Sequence, residues 1–363
     1  MRILLASGSF WPTIGGVETH VRQLAERLAE AGHEVSVVAA QFMSELALED
    51  RLGDIPVHRS RAAQTSLGKI FSYTSTFRRV ADAFGPDVIH SHMVLPAALA
   101  PALIARRTPL VVTVHGDDVA TFPEMDWGHR LKPANRWATD FALRNASTVI
   151  AVCEWLAACV RPIVPAERVC VVYNGIDVTA VEAPPPPGDL VVATRRFHRK
   201  NGMRFLVEAA SRLSKIPFVL AGDGPEFEAL RAGATDNVTF AGALTPDAVA
   251  SLYEQARFTV MPSLAEMMPY SGLESMLHGR AVVGTTVGGI PELIQDGSNG
   301  VLVPPADADA LANAIGDLYS DRERAGAMGR AGRDLIMRRH AWPGVLPQIL
   351  DVYAAAVAGG PPV

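Results

Sequence analysis

The sequence predicts an α/β protein built from two doubly wound, Rossmann-like parallel-sheet domains. Short apolar runs without alternation, the mark of strands buried on both faces, take turns with segments whose apolar residues recur at helical spacing. That strand–helix grammar begins at residue 2 and begins again at residue 189. Between the two runs stands "APPPPG" at 183–188, whose prolines favour a stiff, extended linker. A length of 363 residues exceeds one ordinary core and suits two or three domains.

In the first half, "RILLAS" (2–7) is a strand buried on both faces and "GSFWPTIGG" (8–16) a loop. Val17, Val21, Leu24, Ala25 and Leu28 mark the first helix, and Gly32 stops it. "EVSVVAA" (34–40), "PDVIHSH" (86–92), "PLVVTVHG" (109–116) and "STVIAVC" (147–153) supply further strands, with "AALAPALIARR" (97–107) a helix among them. In the second half the strands are "DLVVATR" (189–195), "PFVLAGDG" (217–224), "VTFAG" (238–242), "FTVMPS" (258–263) and "RAVVGT" (280–285). Helices are read at 202–214, 225–234, 246–256, after Glu274, at 307–321 and at 345–358.

Composition excludes several classes. A net charge of −5 and a pI near 6.1 give no footprint for nucleic acid. No run of 18 apolar residues is free of charges and breakers, so no membrane span is expected. The first residues read as a buried strand in preference to a signal peptide. Cys153, Cys159 and Cys170 lack metal-ligand spacing, and their odd number fits reduced core thiols and a cytoplasmic location. The first loop lacks G-x-G-x-x-G, which counts against a nicotinamide cofactor. No cofactor and no metal site are expected.

The candidate chemistry gathers at strand ends, where doubly wound sheets bind ligands. Glu266 follows the strand 258–263. Glu274 lies eight positions on, beyond Pro269 and Gly272, in the helix "SGLESMLHG". Two carboxylates there suit a diol, because an ionised carboxylate accepts hydrogen bonds from both hydroxyls. The rival reading of Glu274 is a capping box with Ser271, and of Glu266 a solvated loop carboxylate. A helix start at Ser271, Gly272 and Leu273 offers backbone N–H groups to a pyrophosphate. "AGDGPE", with Gly222 and Gly224, and "TTVGGIPELI" are further glycine loops. Arg195, Arg196 and Lys200 in "TRRFHRKNG" read as phosphate ligands or as a solvated basic loop.

In the first half, Gly15 and Gly16 precede the first helix, as a close approach to a ligand or as a plain turn. His115 ends a buried strand, in a substrate-bonding or a structural role, and is followed by Gly116 and Asp117. His90 and His92 are read on opposite faces of a strand end, with His92 the one near the ligand. The segment 66–84 mixes basic and aromatic residues. Contact with a membrane surface is one reading of it, an ordinary surface helix the other.

Taken in order, "GG" at 15–16, "DVIHSH", "TVHG", "YNGID" at 173–177, "GDGP" at 222–225, "VTFAG", the glutamate pair and "HGRAVVGTTVGGIPELIQDGSNGVLV" resemble retaining glycosyltransferase family 4 over nearly the whole chain. The resemblance implies the GT-B fold: a domain at 1–182, the linker, a nucleotide-sugar domain at 189–341, and a helix at 342–363 crossing back to the first domain, with the two domains facing a cleft. It implies retaining, metal-independent transfer of a hexose-type sugar from a UDP- or GDP-linked donor. The acceptor would be a carbohydrate, natural-product or lipid-linked hydroxyl. Glu266 would contact the donor sugar, Glu274 the ribose, Arg196 and Lys200 the diphosphate, and His115 the active site beside the sugar. Gly15 and Gly16 would approach the leaving phosphate. His92 and Asp117 are assigned to the acceptor side. The chain departs from the family in "MMPYSG" after Glu266, where Gly-Phe-Gly-like residues are common, and in Asn201 between Lys200 and Gly202. A sugar-nucleotide epimerase on the same fold and a non-catalytic nucleotide-sugar-binding partner subunit are the alternatives.

Overall fold

The computed structural model describes residues 1–360 apart from Phe42, Arg106, Ala180 and Ala183. Parts of the expected 97–107 helix, the 183–188 linker and the 342–363 helix therefore lie outside the described residues, at Arg106, Ala183 and 361–363. The chain divides into two compact units. One comprises Met1–Gly175 and the chain from Trp342 onward, the other Ile176–Ala341. By this division Pro184–Gly188 fall within the second unit.

The first unit is built on eight strands: β1 (Arg2–Ser7), β2 (Glu34–Ala40), β3 (Glu49–Leu52), β4 (Ile55–Ser60), β5 (Val88–His92), β6 (Leu110–Val114), β7 (Thr148–Ala151) and β8 (Val169–Val171). They run in the order β3-β4-β2-β1-β5-β6-β7-β8, all parallel except the β3–β4 pair. The order reverses direction around β1, as in a doubly wound sheet. Every residue of β5 and β6 is buried, which is why these strands read as continuous apolar runs. The β3–β4 hairpin was not foreseen. Its polar alternation belongs to an edge, and buried Arg59 ties it down by ion pairing with Asp50 and donating to the Trp11 carbonyl at 2.8 Å.

Helix α1 (Gly16–Glu30) buries Val21, Leu24, Ala25 and Leu28, the face that the spacing marked. Helix α2 (Ser66–Phe84) is capped by the Thr65 hydroxyl, which accepts from Gly68 N–H at 3.0 Å, and ends at left-handed Gly85. It buries Tyr73, Phe77 and Val80 and leaves Leu67 and Phe71 exposed. Helices α3 (Leu99–Ile104), α4 (Pro133–Arg144) and α5 (Glu154–Val160) complete the layers. No described helix is long and apolar enough to cross a membrane.

The opposite-face reading of His90 and His92 is overturned. Residues two apart on a strand share a face, and the two rings lie 4.1 Å apart between centroids.

The second unit is a six-stranded parallel sheet in the order β11-β10-β9-β12-β13-β14. Its strands are β9 (Leu190–Thr194), β10 (Phe218–Ala221), β11 (Val238–Gly242), β12 (Ala256–Met261), β13 (Ala281–Thr285) and β14 (Gly300–Val303). The helices are α6 (Met203–Ser211), α7 (Phe227–Ala232), α8 (Pro246–Gln255), α9 (Tyr270–Leu277), α10 (Ile290–Leu293), α11 (Ala308–Ser320) and α12 (Arg322–Arg339). Thr245, Asp307 and Asp321 cap α8, α11 and α12 through side-chain acceptors. Asp307 is thus an ordinary helix cap. The topology reverses beside β9, whose neighbours are β10 and β12. The loops after β9 and β12 therefore stand next to each other at the carboxyl edge, where ligands of such sheets bind.

The last helix, α13 (Trp342–Ala358), belongs to the first unit. Trp342, Val345, Ile349, Val352, Tyr353 and Ala356 join the core formed by β1, β2 and α1. Trp342 donates its indole N–H to Gln23 Oε1 at 2.7 Å. The backbone of Gly175 passes against the Trp342 ring so closely that a Cβ would stand 2.7 Å from it.

Candidate active site

In the second unit, the loops after β9 and β12 converge on Arg195. This residue is 8% exposed. It ion-pairs with Glu266 and donates to Asn201 Oδ1 (3.0 Å), Ser263 Oγ (2.9 Å) and Ser271 Oγ (2.9 Å). Burial alone pushes the Glu266 carboxyl up. The charges of Arg195 and then Lys200, with hydrogen bonds from Arg195 and from the Met267 N–H, outweigh it and hold Glu266 below the usual glutamate range. Glu266 is therefore a desolvated carboxylate that stays ionised, and the solvated-loop reading does not apply. The backbone holds it too: Gly289 N–H donates to its carbonyl at 3.1 Å, and a Cβ on Gly288 would stand 1.8 Å from that oxygen. The "VGG" loop thus braces Glu266.

Glu274 sits on α9 and is not a cap. The helix begins at Tyr270 after Pro269 with no side-chain cap, so the Ser271–Glu274 capping box does not form. Ser271 instead accepts from Arg195, and Glu274 Oε2 accepts from the Tyr253 hydroxyl at 3.4 Å. Tyr253 is buried, and its hydroxyl also meets Thr194 Oγ1 and the Ser271 carbonyl. Burial raises Glu274 to about 7, against a smaller downward pull from the Tyr253 hydrogen bond. The two glutamates thus differ in protonation near neutrality. Glu266 is ionised, while Glu274 is poised to ionise when donors are offered to it.

Lys200 and Asn201 lie in the loop after β9. The Lys200 carbonyl accepts from Leu264 N–H (2.7 Å) and Ala265 N–H (3.2 Å), lacing that loop to the one carrying Glu266. Asn201 is 4% exposed and bridges the loop, accepting from Arg195 and donating to the Arg196 carbonyl at 2.6 Å. The residue between Lys200 and Gly202 is thus a clamp. Arg196 is exposed and Lys200 half-buried. Gly222 and Gly224 have φ of +141° and +154°, and a Cβ would stand 1.9 Å from the Arg195 carbonyl and 2.4 Å from the Phe197 carbonyl. Only glycine lets the turn after β10 lie this close to the Arg195–Phe197 backbone. Gly272 and Leu273 are buried in α9, with Gly272 against Leu293 and Met261. Met267, Met268 and Tyr270 of "MMPYSG" are buried.

In the first unit, Gly15 is the N-cap residue of α1 and Gly16 its first residue. Glu18 in the first turn accepts from Ser9 Oγ, so a carboxylate stands beside Gly15. His92 and His115 meet at the carboxyl ends of β5 and β6, with Nδ1 of the former 3.2 Å from Nε2 of the latter. His20 of α1 lies 5.4 Å from each between ring centroids. Burial lowers His20 to about 4 and His90 to about 3, and holds His92 and His115 well below the ordinary histidine value, with neighbouring imidazoles adding to it. All four are neutral near pH 7. His92 is fully buried, whereas His115 is half-buried. Asp117 faces His129 at 3.7 Å. Its neighbour Asp118 is buried and accepts from the N–H groups of Gly116 (2.9 Å) and His115 (3.3 Å), fixing the turn behind His115. Burial, then the Asp117 charge, raise Asp118 to about 7.

Four participants escaped the sequence reading in these roles: Tyr253, Asn201, His20 and Asp118. Tyr253 and His20 sit on apolar helix faces, where a polar tip in a core position was the available signal. Among the described residues no group of three or more His, Cys, Asp or Glu side chains is arranged to hold a metal ion.

Comparison with known proteins identifies the chain. The profile of Glycosyltransferase Family 4 matches residues 14–180, and that of Glycosyl transferases group 1 matches residues 188–321. The 2-deoxystreptamine N-acetyl-D-glucosaminyltransferase of Streptomyces fradiae is 30% identical over 90% of this chain and 91% of its own. The N-acetyl-alpha-D-glucosaminyl L-malate synthase of Bacillus anthracis is 25% identical over 94% of each. Among solved structures, the sucrose-phosphate synthase of Thermosynechococcus elongatus superposes with a TM-score of 0.87 at 22% identity, covering 99% of both chains. Anabaena HepE in complex with UDP-glucose gives 0.80 at 21% identity, covering 98% of this chain and 100% of that one. These likenesses carry the GT-B fold. The chain belongs to glycosyltransferase family 4, and its activity is glycosyl transfer from a nucleotide-sugar donor.

Proposed function

We propose that the enzyme transfers a hexose-type sugar, with retention of anomeric configuration, from a UDP-linked donor to a hydroxyl of a carbohydrate or cyclitol-like acceptor, without a metal ion. The observation that carries this reading is the contrast between Glu266 and Glu274. An ionised carboxylate backed by Arg195 and Lys200 suits the sugar and diphosphate end of a donor. A carboxyl raised to about 7 beside Tyr253 suits the ribose diol, whose hydroxyls supply the hydrogen bonds that favour its ionised form. UDP is chosen over GDP because the solved HepE complexes hold UDP or UDP-glucose. The cyclitol-like acceptor follows the Streptomyces relative, a 2-deoxystreptamine N-acetyl-D-glucosaminyltransferase.

In this reading the bond between the anomeric carbon and the phosphate oxygen breaks, and a bond to the acceptor oxygen forms on the same face. The acceptor proton passes to the departing diphosphate, leaving UDP and the glycoside. Lys200 and Arg196 neutralise charge growing on the diphosphate, and His115 hydrogen-bonds the donor beside the sugar. Catalysis is then positioning and charge stabilisation.

The test is turnover of a UDP-sugar panel by Glu266→Ala and Lys200→Ala. Each should lower kcat/KM by roughly 100-fold or more, the scale of lost transition-state electrostatics. Wild-type rates in both variants would remove the assignment.

A further inference from the structure

We infer that His92 is a positioning residue that fixes the tautomer of His115, so that His115 presents an Nδ1–H donor to the ligand and not a base. The inference rests on the proposed place of His115 beside the donor sugar, but the tautomer itself follows from the protein alone.

The argument starts from one short contact. His92 Nδ1 and His115 Nε2 are 3.2 Å apart, so one of these nitrogens carries the proton between them. The other nitrogen of His92, Nε2, is buried and has no hydrogen-bond partner among the described residues. A neutral imidazole has one N–H. If His92 kept it on Nε2, a buried donor would be orphaned, which folded proteins rarely tolerate. With the proton on Nδ1 the donor is used, and only a lone pair is left bare. His92 therefore donates from Nδ1, and His115 Nε2 accepts.

That decides His115. A neutral imidazole accepting at Nε2 carries its proton on Nδ1. Both rings are neutral near pH 7 because burial disfavours their charged forms. Nδ1 of His115 has no hydrogen bond among the described residues, and the side chain is half-buried, so this N–H is the group left for a ligand. Its chemistry is that of a donor to an oxygen lone pair, from a sugar hydroxyl or a phosphate. It has no lone pair at that atom with which to take the acceptor's proton.

The support behind His92 is continuous. His90 packs against it with the rings tilted at 42° and their centroids 4.1 Å apart, and is fixed at both nitrogens, by the Tyr353 hydroxyl (2.6 Å) and Thr113 Oγ1 (2.7 Å). His92 thus has little freedom to turn and exchange its nitrogens.

The experiment is nitrogen-15 NMR of the His115 ring in the ligand-free, full-length protein near pH 7.5, roughly one unit above the ordinary histidine pKa. The expected spectrum has Nδ1 protonated and Nε2 bare. A proton on Nε2, or averaged shifts from exchanging tautomers, would overturn the inference. His92→Asn places an amide near the Nδ1 position and should keep the wild-type pattern. His92→Phe keeps the ring shape, loses the donor, and should release His115 to a mixture. If the phenylalanine variant fails to fold, the wild-type and asparagine spectra still decide. In activity, His92→Phe should lower kcat/KM about tenfold or more, the cost of a mispositioned group, and His92→Asn should recover most of it. A released tautomer with unchanged kcat/KM would uphold the lock and remove His115 from the donor site.

Discussion

Glu274 couples stability to function through a single proton. Its folded-state value of about 7 lies above the ordinary 4.5, so the folded protein holds this proton more tightly than the unfolded chain. The stability so gained is full below about pH 4.5 and is lost as pH rises through 7. At pH 8 the loss is on the order of 3 kcal/mol. Glu274→Gln, which cannot ionise, should therefore melt higher than wild type at pH 8 and equal to it near pH 4. The same variant should bind UDP roughly tenfold more weakly, because it gives up hydrogen bonds to a charged acceptor. Thermal melts at the two pH values and a binding isotherm check both. At this scale the sequence revealed residue types better than roles. Motif order singled out the glutamates, Lys200 and His115 as candidates, and the capping-box rival for Glu274 was reasonable for Ser-x-x-Glu. What it missed was Pro269 taking the N-cap position two residues earlier than that pattern needs, with Ser271 facing Arg195 instead. Arg195 and Arg196 are indistinguishable in the sequence, yet one is buried among four acceptors and the other is exposed.

Buried strands were the most legible elements, because a strand covered on both faces leaves an unbroken apolar run. The β3–β4 hairpin was not, since β3 is a half-exposed edge strand and β4 gives the core only Ile55 and Val57 beside a buried arginine. "YNGID" was legible only as a resemblance. Its glycine has a physical cause in the close pass of Gly175 against the Trp342 ring. Helix α13 is held to its unit by this contact, by the Gln23 hydrogen bond and by a stripe of five further buried residues. Trp342→Ala should cost roughly 3–5 kcal/mol of the first unit's stability, the range for truncating a buried large aromatic. Gly175→Ala, which pushes a methyl into a ring with no room to move, should cost roughly 1–3 kcal/mol. Urea titrations followed by far-UV circular dichroism measure both.

For the molecule as a whole, each unit has its own core, so ligand effects can be read unit by unit. UDP binds the folded second unit in the proposed reading and stabilises it by mass action, about 2.7 kcal/mol at a hundred times its Kd. Hydrogen exchange should then slow in 194–202 and 263–274 on adding UDP, and stay unchanged in the β3–β4 hairpin. Equal exchange in both states across 194–202 would speak against the donor site described above.

The return of the chain at Trp342 also bears on how the protein is made. The second unit is contiguous in sequence, whereas the first is interrupted by it and lacks one wall of its core until α13 is added. During synthesis the ribosome delivers the N-terminal residues first. They must wait, with the apolar faces of β1, β2 and α1 incompletely covered, until residues 342–358 emerge from the exit tunnel. The whole of the second unit precedes α13 in the chain, so its core can close before that of the unit whose synthesis began first.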